Sequence, residues 1–254
     1  MRPTLSKDLF SGKMGGYVKR NFDAEPIGFS LPKFSGRVYD MKELRELSAM
    51  HERNCSSPLF WHKDTVKIKD QRNTNFCWMY GTVSGVETQY GKQGHKDLGL
   101  SPTSTACMTL GFKNEGGWGS WACEGINDYG IATYDKWENV SFDRSLPNRW
   151  DVKANMEKHD LHDFEDMGKL DFLAVASALL DEHDPAPCTG GFHWWGHLVL
   201  LLHVGFDSDN EPYLVFANSW GEDWGEQGYG VLTGEKMTPY ESIRIGNVKP
   251  RSKK

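Results

Sequence analysis

Apolar positions recur with helical spacing in the first part of the chain and with strand-like character in the last part. Residues 41–51 place an apolar side chain at every third position behind Asp40, which predicts a helix capped by that aspartate. A polar, turn-forming segment ends at Cys77, and the apolar positions that follow predict a buried helix starting at this cysteine. Residues 171–180 are apolar almost all round and predict another buried helix.

The strands are predicted mainly in the last third of the chain. Two apolar runs, residues 197–205 and 213–218, are separated by a polar turn, which is typical of a β-hairpin. Pro102 is placed to begin a helix, because proline is favoured in a first helical turn. Further strands are predicted for residues 66–68, 225–233 and 242–248. The pattern as a whole predicts an α+β protein.

Composition and charge exclude several classes of protein. The chain has 254 residues, 38% hydrophobic residues and ten tryptophans, enough for a well-packed core. The net charge of −6 gives no reason to expect a nucleic-acid partner, since such proteins present basic surfaces. No apolar run approaches the roughly 18 residues of a membrane span, and the first residues lack the apolar centre of a signal peptide. We therefore expect neither a membrane partner nor export through a signal peptide.

Candidate chemistry centres on Cys77. The partial positive charge at a helix N-terminus favours a thiolate over a thiol. Gln71 precedes the cysteine by six residues (77 − 71), near enough for its amide to return beside the sulfur. Downstream stand His197, at the start of an apolar strand, and Asn218. Cysteine, histidine and asparagine are the components of an activated thiol nucleophile.

These motifs resemble the papain-like cysteine peptidase family. They comprise Gln-x5-Cys-Trp, a Gly-His pair and an Asn-Ser-Trp-Gly-x-x-Trp-Gly-x-x-Gly block that begins at Asn218. His197 follows Cys77 by 120 residues (197 − 77), and Asn218 follows it by 141 (218 − 77), near the spacing of the family. The resemblance implies a two-lobe fold, with a helical lobe at residues 57–145 and a β-barrel-like lobe at residues 146–254.

The resemblance also implies residue roles. Cys77 is the expected nucleophile, His197 its base and Asn218 the group that orients the imidazole. Gln71 and the Cys77 backbone N–H are expected to bind the oxyanion. Gly116, Gly117 and Trp220 are expected to line the substrate site, where Trp220 also shields the His–Asn bond from water. The expected reaction is peptide hydrolysis through a thioester acyl-enzyme, with a peptide or protein substrate and no metal or cofactor.

One feature of the sequence leaves the function open. Asn75 and Phe76 stand where the family has small residues before the nucleophile. The chain therefore has an alternative interpretation as a papain-like structural or binding subunit of an assembly, such as a virion, with weak or no activity. Another thiol acyl transferase is a third hypothesis.

The family's secreted members carry a further cysteine shortly before the nucleophile, but Thr74 and Asn75 stand here. A reducing location, cytoplasmic or within a viral or protein assembly, is therefore expected.

The N-terminal extension, residues 1–56, has no clear counterpart in the family. One hypothesis is a propeptide-like segment that covers the cleft, with its backbone between Cys77 and Gly117. We favour an arm that packs away from Cys77, on the outside of the domain or against a partner protein, because the long helix of family propeptides is not visible. Scattered aromatic side chains, such as Tyr17 and Phe22, suit an arm that wraps a surface.

Overall fold

The computed structural model describes residues 15–22, 33–161, 163–169 and 171–249. The helices are α1 (Met41–Asn54), α2 (Pro58–Thr65), α3 (Cys77–Lys92), α4 (Pro102–Leu110), α5 (Gly119–Tyr129), α6 (Trp150–Met156) and α7 (Phe172–Leu179). The strands are β1 (Asp160–Leu161), β2 (Phe164–Asp166), β3 (Cys188–Phe192), β4 (His197–Phe206), β5 (Pro212–Ala217), β6 (Tyr229–Thr233), β7 (Glu241–Ile245) and β8 (Val248–Lys249). The α+β class expected from the sequence is confirmed.

The central helix is α3, which begins at Cys77 as predicted. Every residue from Cys77 to Tyr90 is buried. Two glycines let this helix approach β4 closely: a Cβ at Gly81 would come within 2.8 Å of the Leu198 side chain, and one at Gly85 within 3.1 Å of Leu200. The start of α3 and the start of β4 are therefore held side by side.

A six-stranded antiparallel sheet carries the second half of the chain, in the order β2-β7-β3-β4-β5-β6. The β4–β5 hairpin is the one predicted from the two apolar runs. His197 is the first residue of β4, and Asn218 directly follows the last residue of β5. The register pairs Leu200 with Ala217, so this pairing brings the histidine and the asparagine to the same end of the hairpin.

The alternation of side chains along β4 separates two large cores. Leu198 belongs to the cluster that contains α3, whereas Val199 and Leu201 belong to the cluster that contains α1 and α7. Helix α1 has the capping box predicted at Asp40, whose side chain accepts from the Lys42 and Glu43 backbone N–H groups at 2.9 Å. This helix lies on the sheet face that is turned away from α3.

One local prediction differs from the structure. Residues 66–68 do not form a strand; they follow α2, an unpredicted helix with Pro58 in its first turn. Helix α5 ends at Tyr129, where Gly130 adopts a φ of 73°. The turn predicted at Pro32 lies outside the described residues. None of the helices in the described part of the chain has the length and apolar character needed to cross a bilayer.

Candidate active site

Cys77 lies at the N-terminus of α3, fully buried. Its Sγ accepts a hydrogen bond from the Gly16 backbone N–H at 3.2 Å. Burial raises the pKa of the thiol to about 12, and this rise is opposed by backbone N–H groups that face the sulfur, first among them that of Leu198. Because Leu198 directly follows His197, the sulfur lies beside the start of β4.

His197 is bound to Asn218 as the sequence predicted. The distance between His197 Nε2 and Asn218 Oδ1 is 2.8 Å, and since an amide oxygen can only accept, Nε2 carries the proton. The other ring nitrogen, Nδ1, is buried and has no hydrogen-bond partner. Burial lowers the pKa of His197 to about 4, against the opposing effect of the bond to Asn218. The ring is therefore neutral, with a proton-accepting nitrogen available.

Tryptophans enclose the His–Asn pair. Trp220 stacks on the His197 ring, with the centroids 4.6 Å apart at 29°, and is itself 4% exposed. Trp195 packs against the same ring from another side, at 4.7 Å and 63°. Trp220 thus lies where the sequence placed it, whereas Trp195 was not singled out. Excluding water from this bond strengthens it.

Gln71 is buried and tied to the segment that follows Asn218. Its backbone N–H donates to the Ser219 carbonyl at 2.8 Å, and its Oε1 accepts from Ser219 Oγ at 2.5 Å. One amide hydrogen of Nε2 is used on the Thr74 carbonyl at 2.8 Å. The neighbouring Asp70 forms a β-bridge with Trp220. Gln71 and Asn218 thereby belong to one hydrogen-bonded unit.

The N-terminal segment runs across this site, so the prediction that it packs away from Cys77 is wrong. Besides the bond from Gly16 to Cys77, the Tyr17 N–H donates to the Gly196 carbonyl at 3.1 Å. Gly117 makes two backbone hydrogen bonds to the segment. Its N–H donates to the Gly16 carbonyl and its carbonyl accepts from the Val18 N–H, each at 2.9 Å. The backbone of residues 15–18 therefore fills the space above the thiol.

Two adjacent glycines explain why this segment fits. A Cβ at Gly16 would lie 1.8 Å from the Asn75 carbonyl oxygen, and a Cβ at Gly15 would lie 2.1 Å from that of Gly196. The expected role of Gly116 and Gly117, close approach of another backbone, agrees with the pairing at Gly117, although the backbone bound here is the chain's own. The Gly15-Gly16 pair was the sequence signal that we interpreted only as a turn.

Comparisons with known proteins find similarities both in the sequence and in the fold. A sequence model of the family described as "Papain family cysteine protease" matches residues 183–243, which include His197 and Asn218 but not Cys77. The chain is 27% identical to cysteine proteinase B of Leishmania mexicana, over 84% of this chain and 54% of that protein. It is 26% identical to a viral cathepsin of the Cydia pomonella granulosis virus, over 70% of this chain and 58% of that protein.

Solved structures agree on the fold. Procathepsin L 3 from the larval midgut of Tenebrio molitor superposes with a TM-score of 0.60 at 18% identity, over 92% of this chain and 75% of that one. The bromelain protease of Ananas comosus gives 0.58 at 17% identity, over 75% and 97%. The chain has a papain-like fold, and its sequence is similar to cysteine proteases of the papain family. It spans about half the length of the curated relatives it matches, with 54%, 39% and 54% of the first three covered.

Two other histidines near His197 in the sequence, His193 and His203, are alternative candidates, and in the papain-like fold they lie elsewhere. His203 Nε2 faces α1, 3.3 Å from Glu52 Oε1 and 3.5 Å from Ser48 Oγ. His193 is exposed beside the Tyr240 ring. Of the three histidines, only His197 adjoins the cysteine helix and contacts Asn218.

The segment that crosses the papain-like cleft is anchored beyond it. Arg20 forms an ion pair with Asp166, and its guanidinium lies over the Phe22 ring, 4.6 Å from the centroid. Phe22 packs on Tyr240 with the centroids 5.8 Å apart. These contacts fix the end of the segment on the β2–β7 side of the sheet, so residues 15–18 are held across the cleft rather than near it.

Proposed function

We propose that this chain is a cysteine peptidase whose own N-terminal segment closes the active site in the conformation described. The observation that supports this most directly is the buried His197–Asn218 bond, which leaves Nδ1 unpartnered on the residue before Leu198, whose backbone N–H faces the Cys77 sulfur. The match of residues 183–243 to the papain family model and the similarity to cysteine proteinases support the same reaction class. The substrate would be a peptide or a protein.

The proposed reaction starts when the segment leaves and a substrate carbonyl takes its place. His197 Nδ1 removes the thiol proton, and the Cys77 sulfur forms a bond to the carbonyl carbon. Asn218 holds the ring in the tautomer that leaves Nδ1 free to accept this proton. The imidazolium then protonates the amine as the C–N bond breaks, and water hydrolyses the thioester by the same steps.

Stabilisation of the oxyanion is assigned to two donors. One is the Cys77 backbone N–H, which points out from the first turn of α3. The other is the second Nε2 hydrogen of Gln71, since only one is used on Thr74. Preorganised donors of this kind are worth about 10²–10³ in rate each. The ties of Gln71 to Ser219 hold its amide in place without substrate.

The closed state is inactive for a stereochemical reason. The sulfur faces the N–H of Gly16 rather than a carbonyl carbon, so no electrophile lies in reach of it. With the thiol buried, its pKa of about 12 leaves almost no thiolate at neutral pH. We infer that displacement of residues 15–18 both admits substrate and removes the burial that keeps the thiol neutral.

The test is peptide hydrolysis by the full-length chain carrying Gly16→Ala. The added methyl group cannot be accommodated, because it would lie 1.8 Å from a backbone oxygen. We expect cleavage of unfolded protein by this variant and none by the variant that also carries Cys77→Ala. A folded Gly16→Ala protein that alkylates rapidly at Cys77 but cleaves no peptide would instead support the alternative of a binding or structural subunit.

A further inference from the structure

The side chain of Asn114 ties the loop that precedes the cysteine helix to the loop at residues 111–117. Its Oδ1 accepts from the Asn75 backbone N–H at 2.7 Å, and its Nδ2 donates to the Asn73 carbonyl at 3.3 Å. The Asn75 side chain adds a third bond, since its Nδ2 donates to the Asn114 carbonyl at 3.1 Å. The backbone partners fix the orientation of the Asn114 amide, because an N–H only donates and a carbonyl only accepts. We call these three hydrogen bonds the Asn114 clasp.

The residue between the two clasped positions, Thr74, is bonded to Gln71. Its carbonyl accepts from Gln71 Nε2 at 2.8 Å, and its Oγ1 donates to the Gln71 carbonyl at the same distance. Both side chains are buried. Because Asn73 and Asn75 flank Thr74 and are both held by Asn114, the clasp determines where the Thr74 carbonyl lies. The orientation of the Gln71 amide therefore depends on a residue that does not touch it.

The loop that carries Asn114 is itself fixed at both ends. Phe112 anchors its start, because the Phe112 ring stacks on Trp137 with the centroids 6.1 Å apart at 23°. Gly117 at its end is paired with the backbone of the segment over the thiol. Asn114 thus provides a fixed point to which the loop before the cysteine helix is attached.

The thiol does not depend on this attachment. Cys77 is held by the packing of α3, in which every residue from Cys77 to Tyr90 is buried. Asn114 is exposed and fills no position in the core. Loss of the clasp should therefore free the Gln71 amide while the sulfur keeps its place, and this separates an effect on oxyanion binding from an effect on the nucleophile.

We propose that Asn114 is a positioning residue for the peptidase reaction, which acts by holding the Gln71 amide, through Thr74, where it donates to the oxyanion. A preorganised donor is effective only within hydrogen-bond distance of the position that the oxyanion takes. A displacement of about 1 Å in such a group can cost on the order of 100-fold in rate. The proposal rests on the proposed peptidase function, in which Gln71 is an oxyanion donor, but the clasp can also be tested without catalysis.

The first test compares two reactions of the same thiol, in the full-length chain with Gly16→Ala to open the cleft. Asn114→Ala should lower kcat for peptide hydrolysis at least about 10-fold. It should leave the rate of Cys77 alkylation by iodoacetamide within about twofold, because displacement at a saturated carbon forms no oxyanion. Asn114→Asp keeps the acceptor for the Asn75 N–H and should retain kcat within about threefold. Glu115→Ala, which shortens an exposed side chain of the same loop, is the matched control and should change neither rate.

The second test is a double-mutant cycle between Asn114 and Gln71, again with Gly16→Ala. Gln71→Ala alone should lower kcat about 100-fold, as expected for the loss of one oxyanion donor. If Asn114 acts through the Gln71 amide, adding Asn114→Ala to Gln71→Ala should lower kcat by no more than about a further twofold. A further loss as large as that of Asn114→Ala alone would overturn the route through Gln71.

The third test observes the Gln71 side-chain amide directly, by ¹H–¹⁵N NMR of the full-length chain without Gly16→Ala. The two Nε2 hydrogens are assigned by their absence from the spectrum of Gln71→Ala. Asn114→Ala should shift both resonances and raise the exchange rate of these hydrogens with water at least about 10-fold. Glu115→Ala should leave them unchanged.

Together the tests distinguish the possible failures. If Gly16→Ala cleaves no peptide, the proposed peptidase function fails, while the Gln71 resonances still decide whether the clasp orients this amide. Unchanged resonances in folded Asn114→Ala would overturn the positioning role whatever the enzyme does. So would a fall in Cys77 alkylation that matches the fall in kcat, since the clasp would then act on the thiol. Thermal unfolding establishes that each variant is folded, and Asn114→Ser replaces Asn114→Ala should the latter not fold.

Discussion

Replacing Gly16 by alanine should uncover Cys77 in the intact chain. Four hydrogen bonds hold residues 15–18 over the thiol, each worth about 1 kcal/mol net. Burial of the Tyr17 ring adds about 2 kcal/mol. Ordering four backbone residues costs about 1.5 kcal/mol each, or about 6 kcal/mol in all. These opposing contributions cancel to within a few kcal/mol, so the closed segment is only marginally stable and a small local penalty is enough to shift it.

The alanine methyl group supplies that penalty. At 1.8 Å from the Asn75 carbonyl oxygen it would meet backbone, which cannot rotate away as a side chain can. Overpacking of this kind costs about 1–3 kcal/mol. Because 1.4 kcal/mol is a factor of ten in an equilibrium, the ratio of open to closed molecules should rise about 10- to 100-fold. The anchors at Arg20 and Phe22 stay in place, so the change is confined to the cleft.

The assay is alkylation of the native protein by iodoacetamide at pH 7, with the modified cysteine mapped by mass spectrometry. The rate at Cys77 should rise with the open population, relative to the exposed Cys55. Val18→Ala is the matched control, since it shortens a half-exposed side chain of the same segment and adds no atom. A folded Gly16→Ala protein whose Cys77 reacts no faster than wild type would refute the assignment of this segment as the cover of the thiol.

Three further predictions concern the site and the core. Asn218→Ala, introduced with Gly16→Ala, should lower turnover about 10- to 100-fold with little change in Tm, and His203→Ala should not lower turnover. Burial lowers the pKa of His62 to about 3. Between about pH 6.5 and pH 3 the unfolded state therefore binds a proton at His62 that the folded state does not bind. The contribution of the neutral His62 to the free energy of unfolding should be fully present above about pH 6.5 and be lost towards pH 3. His62→Gln should reduce the pH dependence of the free energy of unfolding, measured by urea titration, by up to about 1.4 kcal/mol per pH unit over that range. Lys69→Met should cost about 3–5 kcal/mol in urea unfolding by leaving Glu87 buried without its partner at 2.7 Å, and Glu87→Leu added to it should recover part of the loss.

The sequence predicted those parts of the site that local chemistry determines. A polar turn followed by an apolar series located the helix that begins at Cys77, and a polar turn between two apolar runs located the hairpin that carries His197 and Asn218. Each of these elements could be predicted because the periodicity of its own sequence fits only one type of secondary structure. The residue roles of Gln71, Cys77, His197 and Asn218 remain proposals, and so does the division into lobes.

The path of the N-terminal segment could not be derived from periodicity. It has little repeating pattern, and its position depends on close fits such as Gly16 against Asn75 and Tyr17 against Gly191. Such fits involve residues far apart in sequence.

The bridge between Asp70 and Trp220 joins the front of the cysteine helix to the segment after β5. Because Gln71 is also bonded to Ser219, the two sides of the cleft are connected beside the proposed catalytic residues, and these bonds resist widening of the cleft. A peptide can then bind in the cleft only by competing with residues 15–18. The chain's own segment is a tethered competitor, and a short flexible tether gives an effective concentration on the order of millimolar. A free peptide that binds no better than residues 15–18 would have to approach that concentration to displace them. Peptides that bind more weakly would therefore be kept out of the cleft, although the residues around the thiol need not move.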